Sequence, residues 1–166
     1  MKVVVVWMLF AGCALAQAPP TAATSSCGPT EANVNVKLDR SQHSQAQPEP
    51  GKALVYFIQE KGSDAFAVTT QIGLDGSWVG ANKNSSYFSV SVEPGEHHAC
   101  ANVNSFRGHP RSLVHFTAEA GRVYFFDARI VYGEQAAVYL FFDPLDSDQG
   151  TYLIGSLPLS VLNSKK

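Results

Sequence analysis

The chain has 166 residues, of which 45% are hydrophobic, and a formal net charge of −2. These totals suit one globular domain with tails. Nucleic-acid and anionic-membrane binders carry a basic patch, whereas Lys165-Lys166 is the one Lys/Arg cluster of this sequence. We therefore expect no nucleic-acid partner.

Met1 to Ala16 has the pattern of a signal peptide. Lys2 supplies a minimal positive region, Val3 to Gly12 is apolar, and Ala14-Leu15-Ala16 is an A-x-A cleavage site. The apolar run is shorter than the stretch of about 20 residues that spans a bilayer. We expect cleavage before Gln17, no transmembrane segment in the mature chain, and a secreted or periplasmic protein.

An alternative is that the mature protein is anchored through a lipid. Phe10-Ala11-Gly12-Cys13 resembles a bacterial lipoprotein box, in which Cys13 would carry that lipid. Phe10 stands where leucine is usual in such a box. Simple secretion is therefore favoured, and the anchored form remains the alternative.

Cleavage leaves two cysteines, Cys27 and Cys100. An even number of cysteines in an oxidising compartment favours a disulfide over two unrelated thiols. A bridge across so long a loop would stabilise the fold by up to about 4–5 kcal/mol. We expect residues 17–31 to be disordered or loosely tethered, residues 32–162 to form a single domain, and 163–166 to be a tail.

The segment from Ile72 to Val103 predicts successive strands and turns. Asp75-Gly76 is typical of a tight hairpin, and Pro94-Gly95 of a type II turn in which Gly95 has positive φ. Short apolar runs continue on both sides at spacings of eight to twelve residues. They predict an all-β fold, an antiparallel β-sandwich, and Leu54 to Gln59 is apolar on both faces, as in a central strand.

The C-terminal part is less regular. Ala137 to Phe142 is apolar on both faces, and Asp143-Pro144 is expected to end that strand. Asp146 is suited to cap a short helix that stops at Pro158, although Gly150 and Gly155 weaken it. Whether this segment is helix or strand remains open.

Six motifs, in order, resemble one bacterial family, the domain of unknown function 2846 (DUF2846). Roughly residues 52–157 are covered, and each motif alone is a common turn or strand signal. The resemblance implies a small β-sandwich of the immunoglobulin-like, transthyretin-like or PEGA-like type in envelope or secreted proteins, and it implies no activity. The motifs are Ala53-Leu54-Val55-Tyr56, Leu74-Asp75-Gly76, Asn84 to Phe88, Pro94-Gly95-Glu96-His97, Ala120 to Tyr124 and Asp146 to Gly150.

No catalytic, cofactor or metal site is predicted. His97, His98 and Cys100 are suitable zinc ligands. Because side chains alternate along a strand, however, His97 and His98 point to opposite faces, and a disulfide would remove the thiolate of Cys100. The chain has no G-x-S-x-G nucleophile elbow, and Asp143, Asp146 and Asp148 lack the rest of an EF-hand loop.

Two groups of residues are candidates for contact with a partner, an unknown protein or an envelope glycan. Trp78 and Tyr87 follow turns, where they either contact a partner or, as the favoured alternative, cap the core. The loop from Asn104 to Arg111 could present an aromatic ring and two cationic donors, namely Phe106, Arg107 and Arg111.

These patterns favour a non-enzymatic β-sandwich that acts as an envelope-associated binding or accessory module. A purely structural, stabilising domain is the alternative, and a hydrolase or a carbohydrate-binding module is a weaker one. An exposed apolar patch would favour binding. A uniformly polar surface would favour the structural domain, and a cleft with several perturbed titratable groups would favour the hydrolase. The sequence leaves the partner and the oligomeric state undetermined.

Overall fold

The computed structural model describes residues 27–28, 34–41, 46–60, 68–103, 109–134 and 137–163. These residues form two β-sheets packed face to face and one helix. The predicted all-β sandwich is confirmed. The predicted signal peptide, Cys13, Phe106, Arg107 and the last three residues lie outside the described residues, and the domain limits stay predictions.

The larger sheet has six strands in the order β1-β10-β5-β2-β8-β9. Its centre is β2, all seven residues of which are buried, as the two-faced apolar pattern predicted. The sheet is mixed rather than wholly antiparallel, because β2 pairs in parallel with β8, and β10 with β5. The strands are β1 (Val36–Asp39), β2 (Ala53–Gln59), β5 (Ser86–Val92), β8 (Val123–Tyr132), β9 (Val138–Leu145) and β10 (Leu159–Leu162).

The smaller sheet has four antiparallel strands in the order β4-β3-β6-β7. Asp75 and Gly76 have φ angles of 49° and 82°, as expected of the tight hairpin between β3 and β4. Gly95 is the first residue of β6 and has the predicted positive φ. Its φ of 141°, however, differs from the value near 80° at the glycine of a type II turn. The strands are β3 (Thr69–Leu74), β4 (Ser77–Lys83), β6 (Gly95–Val103) and β7 (Arg111–Ala118).

The core lies between the two sheets and is filled by the inward row of each strand. Phe57 is at its centre and packs near Phe88, Phe126 and Phe142. A second, smaller cluster lies on the outer face of the six-stranded sheet beneath the helix α1 (Ser147–Ser156). There Tyr56 stacks on Phe125 with ring centroids 5.2 Å apart.

The C-terminal segment contains both a helix and a strand. Asp146 caps α1 by accepting a hydrogen bond from the Gln149 N–H at 2.8 Å, as predicted, and the helix ends before Pro158. Strand β10 follows and pairs with β1 on one side and β5 on the other. The prediction that Asp143-Pro144 ends β9 was wrong, because β9 is an edge strand, where proline's missing N–H costs no ladder hydrogen bond.

Candidate functional site

The two cysteines meet on the outer face of the four-stranded sheet. Cys27 and Cys100 form a disulfide with their Cα atoms 5.2 Å apart, which supports the predicted bridge. Cys100 is fully buried in the middle of β6. The bond therefore fixes the start of the described chain against a rigid strand.

Trp78 completes this contact, and we call Cys27 and Gly28 with Trp78 and Cys100 the N-terminal clasp. A Cβ atom at residue 28 would clash with the Trp78 ring, so only glycine allows the backbone to approach it so closely. The ring is half-buried. In this position, Trp78 holds the N-terminal segment on the sheet.

Of the other predicted contact residues, the structure describes Tyr87 and Arg111, which lie on different sheets. Tyr87 is 1% exposed and lies in the cluster beneath α1, so it offers no contact surface. Its ring packs in the core instead, which was the alternative to partner contact. Arg111 is exposed at the start of β7 and donates a hydrogen bond from Nε to Asn102 Oδ1 at 3.0 Å. Phe106 and Arg107, in the preceding loop, are outside the described residues.

His97 is half-buried and forms a polar link between two turns of the four-stranded sheet. Its Nδ1 lies 2.6 Å from Asp75 Oδ2, and its Nε2 lies 2.8 Å from the Glu93 carbonyl oxygen. Burial of the ring opposes protonation, but the hydrogen bonds to Asp75 and to the Glu93 carbonyl outweigh it, so the pKa of His97 is raised. Both ring nitrogens are therefore engaged as donors in the protonated form.

The contact between His97 and Asp75 joins two of the sequence motifs. Asp75 belongs to the Leu74-Asp75-Gly76 motif and His97 to the Pro94-Gly95-Glu96-His97 motif. Asp75 also accepts a hydrogen bond from the His98 N–H at 2.9 Å. One carboxylate thus ties the β3–β4 hairpin to the first residues of β6.

His98 lies on the opposite face of β6, as the alternation predicted. It is directly across from His115 of β7, and the two ring centroids are 4.8 Å apart. Within the described part of the chain, no group of three or more His, Cys, Asp or Glu side chains is placed to hold a metal ion.

A cavity of about 380 Å³ opens at the seam between β4 and the β1–β10 edge. Its only hydroxyl-bearing side chains are Ser89 and Ser160, and none of the described residues that line it is ionisable. The apolar lining comprises Val36, Val79, Phe88, Leu159, Val161 and Leu162.

A group of neighbouring exposed apolar side chains lies on the outer side of β8 and β9, and sequence reasoning missed it. Tyr139 is 54% exposed and Phe141 42%, and Val131, opposite Tyr139, is also exposed. The apolar run of β9 indicated burial on both faces. Asp143-Pro144 was the signal that could have corrected this, because proline marks an edge strand.

Polar groups lie directly beside these rings. The Arg129 guanidinium carbon is 5.0 Å from the centroid of Phe141, its partner across the strands, and its Nη2 is 3.5 Å from Asp143 Oδ2. We call the set of Arg129, Val131, Tyr139, Phe141 and Asp143 the outer hairpin face. It combines aromatic rings with a neutralised pair of charges.

Asp127 lies at the inner end of the same face and is only 6% exposed. Burial raises the pKa of its carboxyl to about 6, and Glu60 and Asp143 add to this effect. The Glu60 N–H, at 3.4 Å, and the Arg129 cation oppose it. This carboxyl therefore changes its charge near neutral pH.

A family model described as "Protein of unknown function (DUF2846)" matches residues 49–140. The chain belongs to the DUF2846 family. The match covers more than half of the sequence and confirms the family resemblance; five of the six motifs lie within it, and Asp146 to Gly150 lies beyond it. No curated protein and no solved structure matches the chain. No helical segment in the described part of this DUF2846 protein has the length and apolar character needed to traverse a bilayer.

Proposed function

We propose that this DUF2846 protein is an exported, non-enzymatic binding module whose contact surface is the outer hairpin face. The observation that carries the proposal is the exposure of Tyr139 and Phe141 on a regular strand of the sandwich. Large apolar side chains grouped on a folded surface are typical of sites that are covered by a ligand or partner. A uniformly polar surface would instead have favoured a purely structural domain.

The arrangement of the titratable groups supports a non-enzymatic role. A general base needs a free ring nitrogen or carboxylate within reach of a substrate. Both nitrogens of His97 are already engaged, and the pair with Asp75 closes a turn. Asp127, whose pKa is also raised, belongs to the other sheet.

The disulfide supports export. Bonds of this kind persist in oxidising compartments and are rare in the bacterial cytosol. The signal-peptide pattern of residues 1–16 leads to the same compartment. The intact mass of protein exported by its native host tests this: we expect a chain that begins at Gln17, whereas a diacylglycerol adduct on Cys13 would establish the lipid-anchored form.

Partner capture tests the contact surface. Mature, disulfide-bonded protein serves as bait in cross-linked envelope extract, beside the double variant Tyr139→Thr/Phe141→Thr. Threonine keeps the strand preference of both positions while removing the rings. We expect the double variant to lose the captured component and to melt close to the wild-type temperature.

Tyr152→Thr is the matched control, because Tyr152 is a tyrosine that is 74% exposed on α1, outside the outer hairpin face. It should retain capture. Equal capture by the double variant would place the contact surface elsewhere. If the wild type captured nothing, the purely structural role would replace the binding role.

A further inference from the structure

The outer hairpin face lies where two strands extend past the rest of their sheet. Strand β8 pairs with β2 only from Val123 to Asp127, whereas its pairing with β9 continues to Tyr132. Among the described strands, Arg129 and Val131 therefore have a neighbour on one side only. Helix α1 covers the earlier part of β8, at Phe125, and leaves this part open.

The ring of Tyr139 is held in a defined position by the turn that follows β8. A Cβ atom at residue 133 would lie 2.7 Å from Tyr139 Cε2, so the ring rests on the bare backbone of Gly133. Because half of the side chain is still exposed, the ring presents its other side to solvent. An aromatic ring fixed in this way loses little conformational entropy on binding.

The Arg129 guanidinium is also fixed, between Phe141 and Asp143. It contacts the ring at 5.0 Å and the carboxylate at 3.5 Å. Guanidinium has five N–H donors, and the carboxylate has acceptor sites beyond the one facing Arg129. Donors and acceptors that remain free are thus grouped beside the aromatic rings.

The size of the surface favours a small ligand over a protein. Each aromatic side chain offers about 150–250 Å² in total, and about half of that is already covered here, whereas a stable protein interface needs about 800 Å² from each partner. The charges of the surface further limit the class of ligand that it can bind. Arg129 is balanced by Asp143, so the pair favours neither an anion nor a cation.

We propose that the outer hairpin face binds a neutral oligosaccharide, with one sugar ring stacked on Tyr139 and hydroxyl groups bound by Arg129 and Asp143. This inference rests on the proposed binding function and names its ligand class. The C–H groups of a sugar are weakly positive and are attracted to the negative face of an aromatic ring. Adjacent hydroxyls both donate and accept, which matches a guanidinium beside a carboxylate.

The dimensions agree with a short chain of sugars. Tyr139, Phe141 and Asp143 follow one another at alternate positions of β9. Four residues of extended strand span about 13–14 Å. A sugar chain lying along β9 can therefore contact Tyr139 at one end and the charged pair at the other.

Titration of ¹⁵N-labelled mature protein with cellohexaose, chitohexaose and maltohexaose tests the inference, with an anionic galacturonate hexamer for comparison. We expect at least one neutral hexamer to shift the amide signals of β8 and β9, with a dissociation constant in the range of about 10 µM to 1 mM. Tyr139→Ala should weaken binding at least about tenfold, and Arg129→Ala should also weaken it.

Two controls separate stacking from other effects. Tyr139→Phe keeps the ring and should retain binding within about twofold, and Tyr152→Ala, on α1, should leave it unchanged. The inference is overturned if no neutral hexamer shifts these signals at about 10 mM, if Tyr139→Ala binds as well as the wild type, or if the anionic hexamer binds better. If sugars fail but the Tyr139→Thr/Phe141→Thr variant still loses envelope capture, the binding module stands and its ligand is a protein.

Discussion

The outer faces of the two sheets are covered in different ways. On the six-stranded sheet, α1 packs Leu153 and Ile154 onto a cluster that includes Tyr56, Tyr87 and Phe125. On the four-stranded sheet, one covalent bond at Cys100 holds Cys27 and Gly28 in place, with Trp78 beside them.

The two covers differ in the kind of interaction that stabilises them. The helix is held by many apolar contacts, which form in any compartment. The N-terminal clasp combines the close contact of Gly28 with Trp78 and a disulfide, which forms only where thiols are oxidised. Neither α1 nor the N-terminal clasp covers the outer hairpin face, the surface that we propose for binding.

The largest expected effect is on the clasp. Cys27→Ser should lower the free energy of unfolding by about 4 kcal/mol, because the bond closes a loop with a sequence separation of 73 residues. Urea unfolding of the oxidised wild type and the variant measures this. Cys27 is the better position to change, because Cys100 is buried and its replacement would also alter packing.

Reduction of the wild type supplies the control for that experiment. Reduced wild type and Cys27→Ser should then unfold at the same urea concentration, because both lack the cross-link. A loss below about 1 kcal/mol would show that the unfolded chain gains little freedom when the loop opens.

The next effect is on the helical cover. Leu153→Ala should lower the free energy of unfolding by about 3 kcal/mol, since the side chain is 5% exposed and its truncation leaves a cavity against the sheet. The effect should add to that of Cys27→Ser, because the two sites lie on opposite faces of the sandwich. A strong departure from additivity would mean that the two covers are coupled through the core.

A third effect depends on pH and opposes the first two in sign. In the folded protein the pKa of Asp127 is about 6, raised first by burial, so the folded state holds an extra proton between about pH 4 and pH 6. Stability therefore falls as pH rises through that window. Asp127→Asn should raise the free energy of unfolding by about 2–3 kcal/mol at pH 7.5.

The same substitution should have a much smaller effect at about pH 4, where Asp127 is protonated in the folded state and about half protonated in the unfolded state. Asparagine can still accept the Glu60 N–H hydrogen bond. The difference between wild type and variant at the two pH values therefore reports the cost of the negative charge on Asp127. Urea unfolding at the two pH values measures it. An equal effect at both values would assign the gain to packing rather than to ionisation.

The sequence predicted the sandwich because its local signals agree with its packing. Asp75-Gly76 is a turn in isolation and in the fold, and the two-faced apolar pattern of β2 correctly indicated the centre of a sheet. Alternation also placed His97 and His98 on opposite faces. In each case the residue's environment is decided by neighbours close in sequence.

The candidate site could not be predicted in the same way, because strand order decides it. Strand β9 has the apolar pattern of a central strand but lies at the edge of its sheet, and Tyr139 and Phe141 of its outer row lie outside the cluster beneath α1. Conversely, Tyr87 follows a turn, as an exposed ring would, and is buried beneath the helix. Pairing between strands that are distant in sequence decides the exposure of β9 and of Tyr87, and no local sequence pattern indicates that pairing.

The smallest expected effect concerns the uncovered face. Tyr139→Thr should change the free energy of unfolding by no more than about 0.5 kcal/mol, because half of the ring is exposed and threonine retains the strand preference. Tyr56→Thr is the contrasting variant: Tyr56 is 1% exposed beneath α1, its hydroxyl accepts the Ala46 N–H hydrogen bond at 2.8 Å, and its loss should cost several kcal/mol, about 3–5. Thermal unfolding of both variants makes the comparison. A large loss for Tyr139→Thr would mean that the ring supports the Gly133 turn and belongs to the folded framework, and the outer hairpin face would then no longer be a surface kept for a ligand.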